Sequence, residues 1–218
     1  KPNEIKIAQF KDTVYALVAN QFGSGSSLLT FGKNINIEAH SRYVGRASRG
    51  CEFIYNEGDW YAYLTNTTMQ KLAFGNSLSN IPSTTDLSLN NELANGTEIF
   101  YSHDAGINYL LIGSLSNNYY KLVLGNDLNQ NSASVVNSGN FGIFTAALRG
   151  FGGGFNNGKH FYFLRQATGN EMLYRINYQN NCKGSFFSDE TSPYVKFDST
   201  GIKYITLRAN NINNKIIV

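Results

Sequence analysis

The 218-residue chain carries 18 basic and 15 acidic residues, a net charge of +3, and its charged positions (15%) are far outnumbered by apolar ones (42%). No dense Lys/Arg block is present, which argues against nucleic acid as the main partner, and no apolar run approaches the roughly 20 residues that cross a bilayer as a helix. The composition is that of a folded domain whose polar surface is mostly Asn, Ser, Gly and Tyr, a mix that favours strands and turns over helices.

The first residues, KPNEIKIAQF, lack the apolar core of a signal peptide. They read instead as a strand, EIKIAQF, with a turn at Asp12 and Thr13, then a strand around Tyr15 (KDTVYALVAN) and another, SLLTFG, ending at Gly32. The same order returns with CEFIYN, a turn at Gly58, EGDWYAYLTN around Tyr61, and QKLAFG ending at Gly75. It returns again with TEIFYS, Gly106, AGINYLLIGS around Tyr109, and YKLVLG ending at Gly125. A fourth copy has the weaker RGFGGGF, Gly158, NGKHFYFLRQ around Phe161, and MLYRIN ending at Asn177. A fifth has YVKF, Gly201, TGIKYITLRAN around Tyr204, and NKIIV. Looser extended stretches such as IPSTTDLSL and NSASVVNS lie between units and supply a fourth strand.

The aromatic anchors are 46, 48, 52 and 43 residues apart. One sheet of four short antiparallel strands cannot bury both faces alone, so a unit recurring at this period predicts propeller blades stacked around an axis. A β-sandwich also has many short strands, but it does not require one unit at constant phase. The expectation is therefore an all-β propeller, one domain over 1–218 with units at about 1–48, 49–92, 93–143, 144–188 and 189–218. The fifth unit stops after its third strand, so the chain reads as a piece of a longer one.

The second unit, NEGDWYAYLTNTTMQKLAFGNSLSNIPSTTDLS from Asn56 to Ser88, resembles a propeller repeat of large secreted and cell-surface proteins of the Bacteroidota. Those repeats read like NWYGFVTN and LYRLDFGNSLSNTPT, in chains that also carry gliding-motility-associated or type IX secretion sorting domains. The matching residues are Asp59, Trp60, Tyr61, Phe74 to Leu78, and Asn80 with Pro82. The third unit keeps Leu124, Gly125, Asn126 and Leu128, and the later units keep little of the spelling. The resemblance implies an extracellular or cell-surface location, membership of a multidomain surface protein and contact with secretion machinery, and it assigns no catalytic residue.

Several motifs have plain structural readings. GGFNNGKH, Gly153 to His160, comes near a phosphate-binding loop, but His160 stands where the hydroxyl belongs and a strand follows instead of a helix. His40, His103 and His160 occupy different phases of the unit and do not form a ligand set, and two lone cysteines, Cys51 and Cys182, read as packed residues although a bridge between them stays open. Asp12-Thr13-Val14 and Asp198-Ser199-Thr200 resemble Bacteroidota O-glycosylation acceptors, yet turns favour the same residues.

Glu4, Glu52 and Glu98 each open the first strand of a unit, so three carboxylates could converge on the axis as acid, base and helper of a glycosidase. Read as one repeat position copied three times, they should share one environment, whereas acid and base need different ones. Aromatic residues beside turns, flanked by short amides, suit sugar rings, although half of them read equally as inter-blade core and Trp60, part of the repeated phrase, reads sooner as structural. The expectation is thus a non-catalytic glycan- or protein-binding, adhesin-like surface module. Its ligand residues would be Trp60, Tyr55, Tyr101, Glu52 and Glu98, with no catalytic residue, metal or cofactor. The alternatives are a glycoside-active enzyme using Glu52 and Glu98, and a ligand-free structural or secretion-cargo domain.

Overall fold

The computed structural model describes residues 2–140 except 24, 91–92, 94–95, 105 and 115–117, and beyond them the backbone of strands between 151 and 217. All regular structure in it is strand. The first sheet is β1 (Pro2–Phe10), β2 (Thr13–Asn20), β3 (Ser26–Gly32) and β4 (His40–Gly45), paired antiparallel in chain order. The second is β5 (Gly50–Asn56), β6 (Asp59–Thr65), β7 (Met69–Gly75) and β8 (Ser83–Asp86). The third takes β10 (Gly96–Asp104), β11 (Ile107–Ser114), β12 (Asn118–Gly125) and β13 (Ser132–Asn140), and adds β9 (Ser88–Leu89), parallel to β13. IPSTTDLSL is therefore two strands in two sheets, and its second half ties the second unit to the third.

A fourth sheet holds β14 (Phe151–Asn156), β15 (His160–Arg165), β16 (Met172–Tyr178) and β17 (Phe186–Phe187), with β18 (Val195–Lys196) also on β16. This corrects the reading of YVKF as the opening strand of the fifth unit, because its two paired residues, Val195 and Lys196, bond Leu173 and Met172 of the fourth sheet. A two-stranded sheet of β19 (Arg208–Asn210) and β20 (Lys215–Ile217) follows.

The hairpins explain the glycines. Asn56 pairs with Asp59 across Glu57 (φ 51°) and Gly58 (φ 93°), so both central residues are left-handed, as a two-residue type I′ turn requires. Gly106 (φ 77°) serves the third hairpin. In the first, Lys11 (φ 54°) takes the left-handed place and Thr13 already belongs to β2, so the turn is Lys11-Asp12, one residue earlier than expected. The turns expected at Gly158 and Gly201 lie outside the described residues.

Apolar side chains fill the spaces between sheets. Tyr15, Leu17, Leu28, Cys51, Trp60, Leu64, Leu72, Phe74 and Leu78 form one buried cluster between the first and second sheets. Ile54, Tyr61, Tyr63, Ile99, Leu110, Ile112, Leu122 and Leu128 form another between the second and third. The recurring phrase KLAFGNSLSN and KLVLGNDLNQ has a packing role here. After Gly75 or Gly125 the loop turns its Leu inward, Leu78 or Leu128, each essentially fully buried, and presents three consecutive carbonyls to the preceding blade.

Those carbonyls meet a cation in both interfaces. The Arg42 guanidinium of the first sheet donates to the carbonyls of Leu78, Ser79 and Asn80 at 2.6, 2.8 and 2.5 Å. Lys71 of the second donates to those of Leu128, Asn129 and Gln130 at 3.0, 3.0 and 2.8 Å. Arg42 pairs across strands with Leu28, which lies four residues before Gly32 as Lys71 lies four before Gly75. The same clamp is thus built from neighbouring strands in the two blades.

Candidate active site at the axis

The first strands of successive sheets contact one another, β1 with β5, β5 with β10 and β10 with β14, and β1 also meets β10. They therefore line a common axis, and their register decides what faces it. Glu4 pairs with Ala19, Gly50 with Thr65 and Glu98 with Gly113, in each case four residues past Tyr15, Tyr61 and Tyr109. Two residues further on, Lys6 pairs with Leu17, Glu52 with Tyr63 and Phe100 with Leu111. Glu4 and Glu98 are the equivalent pair, each just after a register shift in its strand, and Glu52 sits one level further along, at the place of Lys6 and Phe100. The expectation of one position inherited three times is corrected: the carboxylates belong to two levels, so their environments differ.

Side chains two apart on a strand share a face, and here that brings six residues together. Lys6 Nζ lies 3.1 Å from Glu4 Oε1 and 3.4 Å from Glu52 Oε2, and donates to the Ile99 carbonyl at 3.1 Å. It also stands 4.7 Å from the centre of the Phe100 ring. Glu4 Oε2 accepts from the Cys51 backbone N–H at 2.6 Å, and Glu52 Oε1 from the Phe53 N–H at 3.0 Å. Glu98, on the same level as Glu4, is buried. Apart from the ammonium, Glu4 Oε1 has no hydrogen-bond partner, and neither has Glu98 Oε2, so a proton on Glu98 suits this pair.

Burial and charge set the titration of each group. Burial, reinforced by the neighbouring Glu4 carboxylate, pushes Glu98 well above the ordinary carboxylate range, against the opposing field of Lys6. Burial also raises Glu52, with Lys6 and the Phe53 N–H pulling the other way. For Lys6, burial alone would favour the neutral amine, but Glu4, Glu52 and Glu98 together hold it above its usual value. Cys51 is a free thiol, fully buried, and burial raises it well above the usual range, so it packs and does not react.

Among the residues expected to bind ligand, Glu52 and Glu98 meet at this cluster, whose side chains are mostly but not wholly covered, 17% of Glu52 and 19% of Lys6 remaining exposed. Trp60 is buried, packed edge-on to Phe10 and Phe53, which agrees with the structural reading of the repeated phrase and removes Trp60 from the exposed ligand residues. Tyr55 lies over Trp60 at 4.9 Å and stays 53% exposed. Tyr101 is half-buried, and its hydroxyl donates to Asn108 Oδ1 at 2.7 Å, a bond internal to the third sheet. Lys6 and Phe100 had no place in the sequence reading. The signal for Lys6 was its position two residues after Glu4, on the same face of one strand.

No family model and no curated protein sequence matches the chain. Its fold has counterparts among solved structures. A thermostable family-43 glycoside hydrolase superposes with a TM-score of 0.56 at 8% identity, over 91% of this chain and 72% of that one. The catalytic domain of a Coprinopsis cinerea GH62 α-L-arabinofuranosidase gives 0.56 at 12%, over 89% and 71%. An α-L-arabinanase from Cellvibrio cellulosa gives 0.50 at 13%, over 85% and 77%. The protein is a β-propeller.

Proposed function

We propose that this propeller is a glycoside-acting enzyme whose acid and base come from the axial cluster. The observation that carries the reading is the pair of unlike carboxyl environments around one ammonium: Glu98, buried against Glu4, and Glu52, held by Lys6 and a backbone N–H. Two carboxyl groups with different protonation are what glycosidic bond cleavage needs. Glu98 would give its proton to the leaving glycosidic oxygen. Glu52, as carboxylate, would take the proton of the attacking water or bond to the anomeric carbon itself. The structural neighbours described as arabinofuranosidase and arabinanase support a sugar substrate and suggest furanosides as the first to try.

A second reading, a glycan-binding surface module without catalysis, is favoured by the tie between Lys6 and two of the carboxylates and by the exposed Tyr55 ring. In either case the Asn56–Ser88 spelling supports an exported, cell-surface context of the Bacteroidota kind with secretion machinery as a further partner. Incubation with arabino- and galacto-oligosaccharides separates the readings. Products that disappear in Glu98→Gln and Glu52→Gln, both still folded, support the enzyme. Saturable binding without products supports the module.

A further inference from the structure

The axial ammonium has an assignment of its own, which rests on the glycosidase reading for its kinetic consequence but not for its chemistry. An ammonium has three N–H bonds, and those of Lys6 have three oxygen neighbours: Glu4 Oε1, Glu52 Oε2 and the Ile99 carbonyl. The face of Phe100 adds a further favourable contact. With its donors occupied in this way, the side chain is built into the site and does not await an anionic substrate. Among the described residues Glu98 has no ion pair; it lies buried at the level of Glu4, and its Oε2 has no hydrogen-bond partner.

We propose that Lys6 is the positioning residue of the axial site, orienting Glu4 and Glu52 and leaving Glu98 as the carboxyl that carries the exchangeable proton. The groups that face it are accounted for on every inner strand whose side chains are described: Glu4 on β1, Cys51 and Glu52 on β5, Glu98 on β10. The fourth inner strand, FGGGFN, contains no titratable residue. Among the three blades whose side chains are described, Lys stands at this level once. Its counterparts are Glu52 and Phe100, so the asymmetry that separates acid from base enters through the first blade.

The test combines two readouts on Lys6→Met and Lys6→Arg. Glutamate side-chain carbons, labelled with ¹³C and followed by NMR across pH, report Glu52 and Glu98 directly, with or without turnover. In Lys6→Met both titrations should move up, by about one to three pH units as expected for loss of a neighbouring opposite charge. Lys6→Arg should keep them near the wild-type values. If the protein hydrolyses glycosides, the acidic limb of its kcat/KM profile should move up with Glu52, lowering the rate at pH 5 about tenfold or more. A purely structural lysine would lower stability without moving that limb. Where Lys6→Met does not fold, Lys6→Met/Glu52→Gln, which removes the charge and its partner together, is compared with Glu52→Gln for the Glu98 titration. Unmoved titrations in a folded variant lacking Lys6 overturn the proposal. An inactive wild type with shifted titrations upholds it and removes only the glycosidase reading.

Discussion

Glu4 and Glu98 stand at the same point of their strands, each the first residue after a register shift and each paired with the residue four places past the aromatic anchor of the neighbouring strand. The corresponding residue of the second blade is Gly50, whose neighbour Cys51 gives its N–H to Glu4. One blade thus supplies space and a donor where the other two supply carboxyl groups.

That pair should make stability depend on pH. Glu98 has a folded value well above the unfolded one, so its contribution is complete below the ordinary carboxylate range and is lost as pH rises toward the folded value. Glu52 acts in the same direction. The urea midpoint should therefore fall from about pH 5 to pH 8, and Glu98→Gln, which is neutral throughout, should flatten the decline.

The inter-blade clamp makes a separate prediction. Lys71→Met keeps the aliphatic stem but leaves three carbonyls, of Leu128, Asn129 and Gln130, without their charged donor. Charge-assisted hydrogen bonds of this kind contribute about 1.5–3 kcal/mol each before relaxation, and water reaching part of the loop reduces the total. A loss of about 3 kcal/mol by chemical denaturation is expected, with the axial titrations unchanged.

Trp60 and Tyr55 touch, yet they should behave differently. Trp60→Ala removes a buried indole and should cost about 3–5 kcal/mol. Tyr55→Ala removes an exposed ring and a tilted stacking contact of about 0.5–1.5 kcal/mol. If Tyr55 meets the sugar, its variant should lose affinity or raise KM while melting near the wild type.

Glu57 offers a gain. It holds a positive φ that Asn adopts more readily, beside Gly58 in a two-residue turn. Glu57→Asn should raise stability by a few tenths to about 1 kcal/mol, read as a higher melting temperature.

The blades were legible because their signals are local: Gly before an aromatic strand marks a hairpin, and the anchors recur every 43 to 52 residues. The axial cluster was legible only in part. Counting from the first glutamate of each strand placed Glu4, Glu52 and Glu98 in one class, but bulges shift β1 and β10, and a single displaced residue changes which side chains share a level. Pairing with the second strand is what restores the alignment, and pairing is a tertiary fact. Trp60 carried two readings for a related reason: beside a turn it could face either way, and the neighbouring blade, through Phe10, decides that it is covered. The clamp cations show the same limit, since Arg42 and Lys71 do one job from different strands.

The most direct measurement compares Glu98→Gln and Glu52→Gln on two substrates, an arabinofuranosyl oligosaccharide and the dinitrophenyl glycoside of the same sugar. A dinitrophenolate leaves without protonation, whereas a sugar hydroxyl needs an acid. The account predicts that Glu98→Gln loses the oligosaccharide but retains much of the activated substrate, and that Glu52→Gln loses both. Wild-type protein that cleaves neither substrate, or cleavage that survives both substitutions, would contradict the assignment of catalysis to the axial carboxylates.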